Sequence, residues 1–334
     1  MKKASKLLHR REDLSGVLHC ALVWSGYLAA FTLLSFPSLA GLDTLPRKVC
    51  FVLSAAFLLG LAGGANLAFN LHNHAHHPFF RSPRHNRLFG MLGALTAGWS
   101  WRLWSHLHHE HHATLGTPQD FTSPRPTRRG GTEGMAGYVL FRHPLRQLLR
   151  LRETHAEKRL PEATGAERLA FACLWAAPFL LGPWVGLGLW LLPHVVANVF
   201  VLSTHAYASH LGLRADPAAR HTLANSFDAP FFSRVCYHAG LATVHHAYPT
   251  LHWMDLPERN ERDLNRMLDV GTHVLPFGPF HSIEVLGVFT GVREAHEEFA
   301  RTQADGFGTP HGLQPARRAE AEGPESSERA RHAA

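Results

Sequence analysis

The chain has 334 residues, of which 46% are hydrophobic and only 18% charged, with a formal net charge of +7. That length allows one substantial domain or two small ones, and the long apolar runs turn the basic surface toward an anionic membrane rather than nucleic acid. Four cysteines without a CxxC pair exclude a disulfide framework and a zinc ribbon, which leaves 27 histidines as the outlier to explain.

Residues 1–14 carry Lys2, Lys3, Lys6, Arg10 and Arg11 and read as a cytoplasmic N-terminus. Ser15 to Leu42 is uncharged and long enough to cross a bilayer, for which about 20 apolar residues suffice. Ser38-Leu39-Ala40 resembles a signal cleavage site, but the stretch is long for a signal and a second apolar run, Val49 to Leu71, follows closely. The link between these runs carries only Arg47 and Lys48 as basic residues, so it falls outside the cytoplasm.

The second run leads into His72-Asn73-His74-Ala75-His76-His77. His72 and His76 share one helical face, where two imidazoles can meet one metal ion, while His74 points elsewhere. Leu88 to Trp101 is apolar but too short to cross and reads as interfacial or re-entrant. Trp99, Trp101 and Trp104 are expected as interfacial anchors. The next cluster, His106 to His112, places His108, His111 and His112 at i, i+3 and i+4. Tyr138 to Leu151 mixes apolar residues with arginines and suits a helix on the membrane surface.

Leu169 to Leu213 is uncharged and long enough for two spans, with a turn at Gly182-Pro183 and kinks at Pro178 and Pro193. His194, within it, is expected to hydrogen-bond between helices. His245-His246 forms the last cluster; adjacent residues diverge by about 100° on a helix, which suits two metal ions better than one. The tail 302–334 is polar, rich in Ala, Glu, Arg and Gly, and expected to be disordered. The expected fold is therefore all-α and integral to the membrane, with four spans in two hairpins, both termini cytoplasmic, and a cytoplasmic helical cap bearing the histidines. The body of the protein is residues 15–301.

Imidazole suits Fe, Zn, Cu and Ni, so ligand type leaves the metal open. Glu110 and Asp120 are the only acids near the first two clusters, which argues against a carboxylate-bridged di-iron bundle. A metal transporter would place its ligands near the bilayer midplane, whereas these clusters lie beyond the apolar runs.

With these boxes in hand, the chain resembles the membrane fatty acid desaturase and hydroxylase superfamily, which carries HxxxH, HxxHH and a final HxxHH around two membrane hairpins. His72 and His76 match the first box, His108, His111 and His112 the second, and His245-His246 with the trailing Tyr248-Pro249 the end of the third. Phe79-Phe80, Arg84-His85-Asn86, Trp101 to Trp104 and Asp120 look alike too, and the likeness runs from about Val49 to Pro257.

The resemblance implies two iron ions and dioxygen acting on an unactivated C–H bond of a lipid acyl chain, with electrons from a separate ferredoxin- or cytochrome-like donor and its reductase. Desaturation is the leading outcome, with hydroxylation or ketolation of a carotenoid or other lipid as the alternative and an inactive homologue a further one. Some members carry a further histidine before the third box, preceded four residues earlier by Asn; His210 fits the histidine, but position 206 is Ala, with His205 beside it. The third box also lacks its first histidine, since Ala242 stands there. His238, four residues earlier and one turn back if the stretch is helical, is the expected replacement.

Overall fold

A computed structural model describes residues 7–117, 119–125, 133–157, 159, 165–211, 218–227, 230–269, 272 and 274–275. The tail expected to be disordered lies outside them. The described chain is mainly helical, and its two short strands, Ser226–Phe227 and Val274–Leu275, pair in parallel.

Helix α1, Leu14–Ser35, is apolar around its whole circumference and stops before Pro37, which cannot continue the hydrogen-bond ladder. Helix α2 starts at Leu45 with Pro46 in its first turn, where a missing N–H costs nothing. It runs as one rod to His76, interrupted by a π turn at Asn66–Leu71. Helix α3, Pro83–Leu95, and helix α4, Trp101–Thr114, follow. Helix α5, His143–Ala156, continues a π turn at Tyr138–Arg142. Helix α6 is Gly165–Ala176. Helix α7 is the rod Trp184–His210, widened by π turns at Trp184–Leu191 and Ala197–Ser203 around Pro193, which removes a ladder donor. Short helices α8, Pro230–Val235, and α9, Ala242–Ala247, precede α10, Leu256–Asp269.

Among the described residues, three helices are long and apolar enough to cross a membrane: Arg11–Ser35, Leu45–His76 and Trp184–His210. The stretch expected as a further span is shorter and broken. Helix α6 tightens into a 3-10 turn, Ala177–Leu181, at Pro178, and the chain then turns at Gly182 with φ 109°. The expected interfacial segment is largely α3, whose Phe89, Gly90, Gly93, Ala94 and Leu95 are buried.

The long helices pack where their side chains are smallest. A Cβ on Gly60 would lie 2.7 Å from the Pro193 carbonyl oxygen of α7, and one on Gly63 would lie 2.3 Å from the Thr96 carbonyl oxygen. Close backbone approach of this kind is how membrane helices gain van der Waals contact. Tyr27 and Trp190 meet edge to face at 5.4 Å in the core beside them. Outward, Leu18, Leu22, Leu28, Leu53, Leu58 and Leu187 are exposed, an apolar collar a water-soluble surface would not carry. Two buried asparagine amides tie helices together: Asn66 Nδ2 donates to the Gly93 carbonyl and Asn70 Nδ2 to the Gly16 carbonyl.

The N-terminal residues tie the last part of the described chain to the first. Leu8 bridges Phe80, Arg10 makes two hydrogen bonds to Asp255, and buried Asp13 pairs with His252 and accepts from the Trp253 indole N–H. These contacts bring the α9–α10 segment over the ends of α2 and α4.

Candidate metal centre

Four segments distant in sequence deliver histidines to one place. The π turn in α2 adds a residue to the helical repeat and re-aims the last turn, so His72 and His76 face α4 and α9. Helix α4 supplies His108, His111 and His112; α7 ends on His210; α9 supplies His245 and His246.

Two groups form, each with nitrogens within 4.8 Å of one another: His72, His76, His108, His112 and His245 in the first, and His111, His210 and His246 in the second. The i, i+3, i+4 trio of α4 is thus divided, His111 going to one group and its two neighbours to the other. His245 and His246 diverge in the same way.

In the first group His72 Nε2 is 2.7 Å from His245 Nε2, His76 Nε2 is 2.7 Å from His108 Nε2 and 3.1 Å from His112 Nε2, and His112 Nε2 is 3.2 Å from His245 Nε2. Imidazoles on a common ion at bonds of about 2.0–2.1 Å would place their nitrogens roughly 2.9–3.4 Å apart, so the donor set fits a metal ion. In the second group the three rings stand 5.0–5.2 Å apart between centroids. The groups adjoin at His112 and His246, whose Nδ1 atoms are 3.2 Å apart.

Electrostatics favours the metal-binding form. Burial, then repulsion from neighbouring histidines, holds His108, His112, His245 and His246 well below the ordinary imidazole range. They are neutral at pH 7, as ligation requires.

A supporting layer fixes several rings. His111 Nδ1 lies 3.3 Å from Asp120 Oδ1, and Asp120 also accepts from the Thr122 and Ser123 N–H groups and the Ser123 hydroxyl. Burial pushes the Asp120 carboxyl up, but the His111 and Ser123 hydrogen bonds and the charges of His111 and His210 outweigh it, holding the group well below the usual carboxylate range. His210 Nδ1 is 3.0 Å from the Leu223 carbonyl oxygen. Each contact occupies Nδ1 and leaves Nε2 for the centre, the usual way outer partners orient ligating histidines. Glu110 anchors α4 to α5 through Arg150 and, on the same oxygen, Arg159.

Residues outside both groups fall into place. His74 is 3.2 Å from the Asn86 carbonyl oxygen and accepts from the Phe79 N–H, a packing role. His109 is exposed and lies against Ser105. His194 packs edge-on against Trp190 at 4.4 Å. His238 joins neither group: the chain between α8 and α9 is not helical, Tyr237 and His238 take φ of 54° and 56°, and the His238 ring stacks on Trp253. The one-turn-back relation to Ala242 needs a helix that is not there. Trp104, expected at an interface, is buried against His108.

A cavity of about 100 Å³ opens beside both groups, walled by Ala68, Leu107, Phe121, Leu202, Ala239 and Ala242 along with the histidines. His143, Gln147 and His205 also line it. Nothing in the sequence spacing marks His143 or Gln147, which reach the site only through the packing of α5; His205 stands beside Ala206 in the sequence.

Residues 48–278, more than half of the chain, match the family described as fatty acid desaturase, and the chain belongs to that family. Its members are oxidoreductases of lipid chemistry in a membrane setting, in keeping with the three apolar helices. No curated protein matches the chain.

Proposed function

We propose that the protein is a dioxygen-dependent di-iron desaturase that introduces a double bond into a lipid acyl chain. The observation that carries this is the division of eight histidines from four segments into two adjoining groups beside an apolar cavity. His72, His76, His108, His112 and His245 would hold one iron; His111, His210 and His246 would hold the other. When bound, the irons supply the activation of dioxygen that lets a C–H bond be broken. The chain's own part is to hold neutral imidazoles in fixed tautomers through Asp120 and the Leu223 carbonyl, and to exclude water with the Leu107, Phe121 and Leu202 wall. An acyl segment lies against that wall, with the carbons to be oxidised next to the two groups.

The α6 segment with its 3-10 turn pairs with α7 as a second hairpin, giving four spans. The arginine-rich segment, the histidine groups and both termini lie on the cytoplasmic side, as the distribution of Lys and Arg supports. Exposed Leu140, Phe141, Leu145, Leu148 and Leu149 form the face that α5 and its preceding turn lay on the membrane. Electrons come from a separate ferredoxin- or cytochrome-like donor. Hydroxylation on the same scaffold is the second reading, because the outcome depends on where the substrate carbon sits.

Expression in a bacterial host with its own electron carriers, followed by mass spectrometry of total lipids, tests this. New unsaturated chains absent from a His108→Ala, His111→Ala double variant support desaturation. Oxygenated lipids in their place support hydroxylation, and an unchanged lipid profile counts against both.

A further inference from the structure

The two histidine groups are unequal, five imidazoles against three, and part of the cavity wall beside them is alanine, which offers no donor. Ala242, three residues before His245, faces the cavity with a methyl group, as does Ala206 on α7. His238 is turned away onto Trp253. Two imidazoles outside the groups line the cavity, His143 and His205. His143 stands on α5, away from the helix that carries His210, and its Nδ1 lies 2.8 Å from the Ser203 hydroxyl. His205 shares α7 with His210, and its Nδ1 is buried with no hydrogen-bond partner; His238 Nδ1 is in the same state, but of the two only His205 lines the cavity.

The position of His205 is set by its helix. Leu202, His205, Ala206, Ser209 and His210 all line the cavity and recur at i, i+3, i+4, i+7 and i+8, one continuous stripe of α7. His205 therefore stands one turn before Ser209 and His210 on the wall that already carries a member of the three-histidine group. Phe69 packs edge-on at 5.2 Å against its ring and backs it from the α2 side.

We propose that His205 is the ninth imidazole of the centre and a ligand to the ion held by His111, His210 and His246, standing in for the donor that Ala242 does not provide. This rests on the two-ion reading above. It makes a specific compensation possible, because a histidine placed at 242 would offer a nitrogen to the same ion from α9.

The test is iron per chain, with ⁵⁷Fe Mössbauer spectra, on the purified full chain and on His205→Ala, His205→Gln, His238→Ala and the double variant His205→Ala, Ala242→His. Thermal unfolding of each confirms the fold, with His205→Gln keeping polar bulk in the helix. The expected result is two irons in the wild type and in His238→Ala, one in each single His205 variant, and the second regained in the double variant. Two irons with wild-type spectra in the His205 variants would overturn the proposal, as would a second iron lost on changing His238 or not regained in the double variant. A wild-type chain that binds no iron would overturn the two-ion reading itself.

Discussion

Trp104 lies flat on His108, the two rings stacked at 5.1 Å with planes only 4° apart. The indole is 6% exposed, and it fixes the ring whose Nε2 stands 2.7 Å from His76. Truncating a buried Trp to Ala costs about 3–5 kcal/mol, and here the lost volume also frees the His108 ring, a proposed ligand. Trp104→Ala should therefore lower the melting temperature and the iron content together, while Trp104→Phe, which retains a stacking face, should keep most of both. Equal iron content in the two variants would show that the stack does not position His108.

Asp120 holds His111 from behind. Removing an outer partner of this type typically weakens metal affinity about 10–100-fold. Asp120→Asn keeps the shape but loses the charge, and should lose iron to a chelator at a correspondingly lower concentration. The effect should be confined to one of the two irons, because Asp120 touches only the three-histidine group. Equal release of both irons would contradict that assignment.

Glu110 sits inside the second box without facing the centre, and ties α4 to Arg150 of α5. Both side chains are largely shielded from solvent, so removing the carboxylate costs more than the ~1 kcal/mol of an exposed pair. Glu110→Gln should give a melting temperature a few degrees lower with near-normal iron content. A large loss of iron would mean that Glu110 acts on the centre itself.

Gly60 allows α2 to cross α7 with almost no gap: an added Cβ would be 2.5 Å from Val196 Cβ and 2.7 Å from a backbone oxygen that cannot swing away. Overpacking at such a point costs about 1–3 kcal/mol. Gly60→Ala should reduce the yield of folded protein, whereas Gly165→Ala, where a Cβ meets nothing, should not. Unfolding in detergent distinguishes the two.

The parts of the site legible in the sequence are those set by local spacing. His72 with His76, and His108 with His111 and His112, recur at helical intervals on segments that are helices, so which residues gather could be read directly. How they divide could be read only in outline, from the adjacency of His245 and His246. His210 came from family likeness, and no spacing rule would have selected it. His238 shows where local reasoning stops: its expected position assumed a helix, but the backbone there is left-handed at two consecutive residues. Trp104 and His143 reach the site through helix packing, which periodicity does not encode; His205 shares a helical stripe with His210, but only the packing of α7 turns that stripe to the cavity. The π turns before His72 and His210 were equally hidden, because a π turn inserts one residue without changing composition.

The most direct test of the account is whether the two histidine groups hold two separate irons. Mössbauer spectra of the iron-loaded wild type should resolve two sites of equal area. His76→Ala should deplete one and His246→Ala the other, each leaving the second largely intact. A single site lost in both variants, or a chain that takes up zinc in preference to iron, would contradict it.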